Sequence, residues 1–281
     1  MNELQAKMLD IFIEFKRVCE KHGLRYYLAS GTALGAIRHK GFIPWDDDMD
    51  VAMPRRDYDK LMRLGKEFQA PFFLQNHQSD KSYSQGFAKV RNSDTTYIEN
   101  FYLYHNINHG LWIDIFPIDG MSKRKNAKKA LGPKPYLIWV MFYLSFLGHF
   151  WARPRKHTWF IQILLYLVSI IFLPLNIFNW MTKLMIGWMK AISFDKATLV
   201  GSYLIFWTFN KEALPKEIYG SGEKVTFEGV EAIVPSKYHE YLSAKYGDYM
   251  KLPPEHKREG HHYHKGVSTT ISYKDYLAGK R

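Results

Sequence analysis

The run Phe42-Ile43-Pro44-Trp45-Asp46-Asp47-Asp48-Met49-Asp50-Val51 decides how the rest of the chain is read. With Met49 and Val51 facing a core from a strand, the period of two turns Asp48 and Asp50 the other way, into one cleft. Two carboxylates at that spacing are hard oxygen ligands suited to Mg²⁺ or Mn²⁺. Just upstream lies a small-residue turn, Ser30-Gly31-Thr32. A helix starting there offers the backbone N–H groups of Gly31 and Thr32 to phosphate. Cation and phosphate together point to phosphoryl chemistry. The competing reading, a solvated turn, suits Asp46 and Asp47 but fits Asp48 and Asp50 poorly, because Met49 and Val51 are apolar.

Outward from this run, Leu4, Met8, Ile11, Phe12, Phe15, Val18 and Cys19 recur at helical spacing, and Gly23 stops that helix. Tyr26 to Ala29 reads as a short strand, Thr32 to His39 as a helix, and Pro54 opens another helix running to about Phe68. Phe72 to Leu74, Phe87 to Arg91 and Leu111 to Phe116 read as further strands. Lys224 to Pro235 reads as a hairpin turning at Glu228-Gly229, and Tyr238 to Tyr246 as a helix.

Asp114 interrupts the apolar strand Leu-Trp-Ile-Asp-Ile-Phe. A carboxylate there is costly without a cation, a metal or a proton, so it is the natural third member of the acidic cluster. Arg38 follows the Gly-Thr turn by two helical turns, within reach of a phosphate, although an exposed helix charge reads equally well. Lys89 and Arg91 alternate along one strand face and could line the same cleft, a solvated sheet face being the other reading. Trp45 and Trp112 flank the acidic elements and offer an aromatic wall for a quaternary ammonium, with core packing the commoner fate of tryptophan. His261, His262 and His264 lack a fourth ligand and a nearby cysteine, so contact with phosphate or a loose basic tail is preferred to zinc.

At 281 residues and 47% hydrophobic, the chain can bury one substantial core and a second small module. Its charge of +12 implies an anionic partner. There is no arginine-rich arm, zinc-finger spacing or ribonucleoprotein motif, so nucleic acid is not expected and an anionic membrane surface plus phosphate is preferred. A single cysteine, Cys19, requires no oxidising compartment. The first ten residues lack a basic-then-apolar signal, so the expected location is the cytoplasmic face of the cell membrane.

Near Met121 the character changes. A basic run is followed by Pro135 to Ala152, uncharged apart from His149, then Arg153, Arg155 and Lys156, then an uncharged Thr158 to Thr182 broken by Pro174. The second stretch reaches the roughly 20 residues of a membrane span. Trp139, Trp151, Trp159, Trp180 and Trp188 sit among Lys and Arg, as in interfacial anchors. Whether this insert spans or lies on a membrane is left open, and buried helices of a globular insert are the alternative.

The segment Leu28 to Pro54, with Trp112 to Asp119, Phe227 to Pro235 and Tyr246 to Pro254, closely resembles the LicD family of bacterial phosphocholine transferases, related to fukutin-type phosphotransferases. The resemblance covers nearly everything except the insert. It implies an α+β fold, a nucleotidyltransferase-like mixed sheet with packed helices. The expected parts are a catalytic core over 1–120, the hydrophobic helical insert over 121–195, and a C-terminal part over 196–281 completing the catalytic domain. The implied reaction moves phosphocholine from CDP-choline, or a related group from another CDP-alcohol, to a sugar hydroxyl of a glycan or glycolipid acceptor. Asp48 and Asp50 would hold Mg²⁺ (or Mn²⁺), Asp114 would complete the site or take the hydroxyl proton, and Asp46 would either ligate or support the ligands. Two other functions stay in view, a glycosyltransferase with a D-x-D metal site and a catalytically dead membrane adaptor. Only 45 residues precede Asp46, too few for the usual glycosyltransferase arrangement, and an intact Asp114 argues against a dead fold.

Overall fold

Asn2 starts helix α1 (Glu3–His22) with a reciprocal capping box, its side chain accepting from Gln5 N while the Gln5 side chain accepts from Asn2 N. Gly23 ends it at φ 61°, a left-handed conformation that suits glycine. Between these caps Met8, Ile11, Phe12, Phe15 and Val18 are at most 1% exposed. They lay α1 against the central sheet, and each such side chain contributes about 1.5–3 kcal/mol by leaving water. The computed structural model describes residues 1–83, 85–102, 106–121, 167, 177–204, 209–260 and 262–279.

The sheet runs β1 (Tyr27–Leu28), β2 (Asp50–Pro54), β6 (Leu111–Met121), β4 (Ala88–Asn92) and β3 (Phe72–Gln75) in spatial order. β2 and β6 are parallel and the other neighbours antiparallel, so the sheet is mixed, as expected. β6 is longer than its apolar run suggests because it changes partner. It pairs with β4 as far as Ile115 and from Asp119 with β7 (Leu199–Gly201), which in turn pairs with β8 (Leu214–Pro215). Val51, Met53, Ile113, Ile115 and Val90 join the core shared with α1. Alternation therefore puts Asp50, Asp114 and Lys89 on the other face.

Two further strand pairs frame this sheet. β9 (Glu223–Phe227) and β10 (Val230–Val234) form the expected hairpin, with Glu228 at φ 48° and Gly229 at φ 80°. Its tip buttresses the loop before the acidic run, since Phe42 N donates to Glu228 Oε1 at 3.0 Å and Glu228 N to Lys40 O at 2.9 Å. β5 (Thr96–Glu99) pairs with β11 (His264–Ser268), bringing the C-terminal region back to the sheet. Helix α3 (Arg55–Leu61) begins at Pro54 but stops well short of Phe68, and a 3₁₀ turn at Gly65–Glu67 follows. Past Leu61 the backbone tightens to three-residue bonds, Arg63 N to Lys60 O at 3.0 Å and Leu64 N to Leu61 O at 2.8 Å, which closes the α-helix early.

The apolar stretch Pro135 to Ala152, and most of Thr158 to Thr182, lie outside the described residues. Among the described residues no helix is long and apolar enough to cross a membrane. The helix Ile177–Met189 sets Met185 and Met189, both 0% exposed, against Phe87, Phe116 and Met121.

Candidate active site

Helix α2 (Ser30–Arg38) and strand β2 are fastened where they begin, because Asp50 N donates to Thr32 Oγ1 at 2.8 Å. Asp50 and Asp114 are Cα partners in the parallel register of β2 and β6. Asp114 N donates to Met49 O at 2.8 Å, carrying the ladder one residue towards Asp48. Asp48 itself stands just ahead of the strand, where a strand position was expected. Asp46 N bonds Ile43 O at 2.9 Å, and that turn displaces the start of the regular pairing. Buried Gln5 of α1 holds the turn from below, donating to Ile43 O at 3.3 Å and Asp46 O at 3.1 Å.

The carboxyl groups crowd one another. Burial first, then the charge of Asp48 and a hydrogen bond with it, pushes Asp46 up to about 8. Asp48 is raised by burial, against the pull of His262 and with the repulsion of Asp114 and Asp47. Asp50 is raised well above the usual carboxylate range, by burial and then by Asp48, Asp114 and Asp46. The tightest grouping is Asp46, Asp47 and Asp48, with oxygens within 4.8 Å of one another. Asp46 is thus more central than the sequence suggested, and Asp50 and Asp114 approach it from the strands. Asp114 Oδ1 is buried and makes no hydrogen bond, although Lys89 Nζ is 3.1 Å away. The donor set is all hard oxygen: Asp46, Asp47 and Asp48 converge closely enough for one ion, with Asp50 and Asp114 beside them as register partners on the strands, so this cluster could hold Mg²⁺ or Mn²⁺.

Gly31 lies against this cluster, since a Cβ built there would come 2.9 Å from Asp46 Oδ2. Lys89 is 2% exposed and bridges Asp114 and Glu99 at 3.1 and 3.2 Å. Arg91 departs from its expected role. Its guanidinium is fully buried and donates to Gln75 Oε1, Gly110 O and Glu99 Oε2 at 2.5, 2.6 and 2.8 Å, which leaves it bracing protein rather than facing the cleft. Trp112 departs likewise. It is buried, with Lys89 Nζ 3.8 Å over its ring, Tyr97 edge-on at 4.9 Å and His262 at 5.8 Å, so the place a quaternary ammonium would take is filled.

Arg38 turns to the carbonyls of Tyr249 and Lys251, at 2.9 and 3.4 Å, and holds the C-terminal region rather than an open phosphate position. Trp45 is half-buried, with His39 edge-on at 6.2 Å and the Arg258 guanidinium 5.4 Å over its ring. His261 lies outside the described residues. His262 is at the cluster, its backbone N donating to Asp47 Oδ2 at 2.9 Å and its Nδ1 3.1 Å from Asp47 Oδ1. Burial opposes a charged ring, but the Asp47 hydrogen bond and the charges of Asp48, Asp47 and Asp114 lift His262 to about 9.

Several contributors carried no sequence signal of their own. Glu99 became visible only through the pairing of β5 with β11. The helix Tyr238–Tyr246 supplies Tyr241, whose hydroxyl accepts from Ser30 N at 3.1 Å, and Lys245, a buried cation that draws the Asp50 pKa back down. Asp47, read as a loose turn residue, is the anchor for His262.

The site thus joins a parallel strand pair with matched carboxylates, a Gly-Thr helix start and an acidic turn. Residues 23–143 match the family described as "LicD/FKTN/FKRP, nucleotidyltransferase domain". The lipopolysaccharide cholinephosphotransferase LicD of Haemophilus influenzae is 30% identical over 265 residues, 93% of this chain and 96% of that one. The ribitol 5-phosphate transferase FKRP of Mus musculus is 32% identical over 150 residues, covering 52% of this chain and 28% of that protein. The human ribitol-5-phosphate transferase FKTN is 27% identical over 128 residues, 45% of this chain and 26% of that protein. The chain belongs to the LicD family.

Proposed function

We propose that this protein transfers a substituted phosphate, foremost phosphocholine from CDP-choline, to a sugar hydroxyl of a surface glycan or its lipid-linked precursor. The observation that carries the reading is the register match of Asp50 with Asp114 beside the acidic turn. The end-to-end likeness to a cholinephosphotransferase supports the phosphocholine donor. Asp48, Asp50 and Asp114, with Asp46, would hold Mg²⁺ or Mn²⁺, and the mutual repulsion of the carboxylates supports that assignment. A metal there would neutralise charge on the donor diphosphate and the leaving CMP.

The chain's own residues do the rest. The start of α2 at Gly31 and Thr32 receives phosphate oxygens. Asp114 takes the proton of the acceptor hydroxyl as it attacks phosphorus. Lys89 fixes the Asp114 carboxylate in place. No covalent enzyme intermediate is needed. The basic charge and the tryptophans at 180 and 188 support work at the anionic cytoplasmic face of a membrane.

The test is a screen of CDP-choline, CDP-ethanolamine, CDP-glycerol and CDP-ribitol with purified protein, detergent and a glycan acceptor. CMP release that needs a divalent cation and peaks with CDP-choline is expected. Release from CDP-ribitol alone would change the transferred group to ribitol phosphate, the group for which FKRP and FKTN are named, and UDP release from UDP-sugars would overturn the reading.

A further inference from the structure

We propose that a basic cleft between α3 and the end of the helix Ile177–Met189 seats the phosphate of an anionic phospholipid headgroup. The inference rests on the membrane-face reading above and concerns a part of the molecule remote from the acidic cluster. β2 separates the two, with Asp50 at one end and Arg55 just past the other, roughly 13–16 Å of strand.

The cleft is open, about 470 Å³, and is lined by Arg55, Arg56, Lys60, Arg63 and Lys190 against two carboxylates, Asp59 and Asp195. Asp59 is already answered by Lys190 at 2.9 Å and Arg55 at 3.7 Å. Arg55 is committed deeper in, to Asp119. Arg56, Lys60 and Arg63 are exposed, and among the described residues they form no ion pair. Arg56 and Lys60 lie one turn apart on α3 and Arg63 follows in the turn past its end, so like charges are gathered there, which costs stability in isolation. An anionic partner turns that cost into binding.

A second observation says which anion. Lys190 follows directly on the helix Ile177–Met189, which buries Met185 and Met189 and exposes Trp180 at 60% and Trp188 at 37%. Indole rings beside cations are the usual occupants of the headgroup layer. The sequence extends the same asymmetry: between Asp119 and Asp195 there is no Asp or Glu at all, against eleven Lys or Arg. A free phosphate in solution would need neither the tryptophans nor a carboxylate-free stretch of that length.

The experiment is vesicle sedimentation of the full chain and of its triple variant R56Q/K60Q/R63Q. Vesicles are phosphatidylcholine alone or an equal mixture with phosphatidylglycerol, and inorganic phosphate is titrated separately by calorimetry. The wild-type chain is expected to bind the mixed vesicles far better than the neutral ones. The variant should bind them roughly a hundredfold more weakly, about a factor of five per charge. CMP release with a soluble acceptor should be unchanged in the variant, which controls for folding.

Equal binding of wild type and variant to mixed vesicles would overturn the cleft while leaving the membrane reading standing. Failure of the wild type to bind any vesicle would overturn both. Saturable inorganic phosphate binding that the substitutions abolish, with vesicle binding untouched, would reassign the cleft to a soluble anion and overturn the lipid.

Discussion

Lys89 and Asp114 are register partners on antiparallel strands, and the ammonium lies 3.1 Å from the carboxylate with both side chains buried. A cation is thus built into the wall of the acidic cluster and shared with Glu99 at 3.2 Å. Lys89, His262 and Lys245 together are fewer than Asp46, Asp47, Asp48, Asp50, Asp114 and Glu99, so the cluster keeps room for a divalent ion.

Replacing Lys89 by Met leaves two buried carboxylates facing each other. The expected loss is about 3 kcal/mol in urea unfolding, because removing one partner strands the other charge. Added Mg²⁺ should recover part of it. A variant as stable as the parent without metal would show that Lys89 is not a counterion here.

Glu99 gives a pH signature. Burial raises its carboxyl, but the charges of Lys89 and Arg91 and the Arg91 hydrogen bond outweigh this and depress it from 4.5 to about 2. A depressed carboxyl contributes stability that is complete above its unfolded value and is lost as pH falls through the folded one, here between about 4.5 and 2. A displacement of that size corresponds to about 3 kcal/mol. Glu99→Gln should therefore cost about that much at neutral pH and almost nothing near pH 2, read from denaturant midpoints at both.

Two aspartates of β6 should separate cleanly. Asp119 is 0% exposed and takes a bidentate grip from Arg55, at 2.7 and 2.6 Å, outside the acidic cluster. Asp119→Ala should cost about 3–5 kcal/mol of stability by stranding the guanidinium. Asp114→Asn should keep a stable fold and lose more than the roughly hundredfold in CMP release typical of residues that merely support a ligand. Thermal melting and CMP release on the same two preparations decide the matter.

Gly31→Ala tests the closeness of α2 to the cluster. The new methyl would meet Asp46 Oδ2 at 2.9 Å, so the carboxylate must shift. About a tenfold loss of CMP release is expected, since small misplacements at a reacting centre are costly. Gly65→Ala, with nothing within 4 Å of its Cβ, is the neutral comparison.

Local patterns carried much of the fold. The apolar spacing and Gly23 placed α1 nearly to the residue, Glu228-Gly229 placed the hairpin turn, and the apolar Met49 and Val51 put Asp50 on the face opposite the core. Side-chain partners were another matter. Arg91 looked like a cleft residue because strand alternation gives its face, but its acceptors come from Gln75, Gly110 and Glu99, which only tertiary pairing assembles. Trp112 was legible as an aromatic beside the acids and illegible as one already covered by Lys89. Gln5, Tyr241 and Lys245 reach the cluster from helices whose docking no local spacing encodes.

The clasp of His262 on Asp47 joins residues 215 positions apart. During synthesis the acidic turn emerges 215 residues ahead of its partner. The nascent chain therefore passes through a long interval in which its carboxylates repel one another without their histidine. Competence should arise only after residue 262 has emerged, and a chaperone or ambient magnesium would have most to contribute in the interval before it.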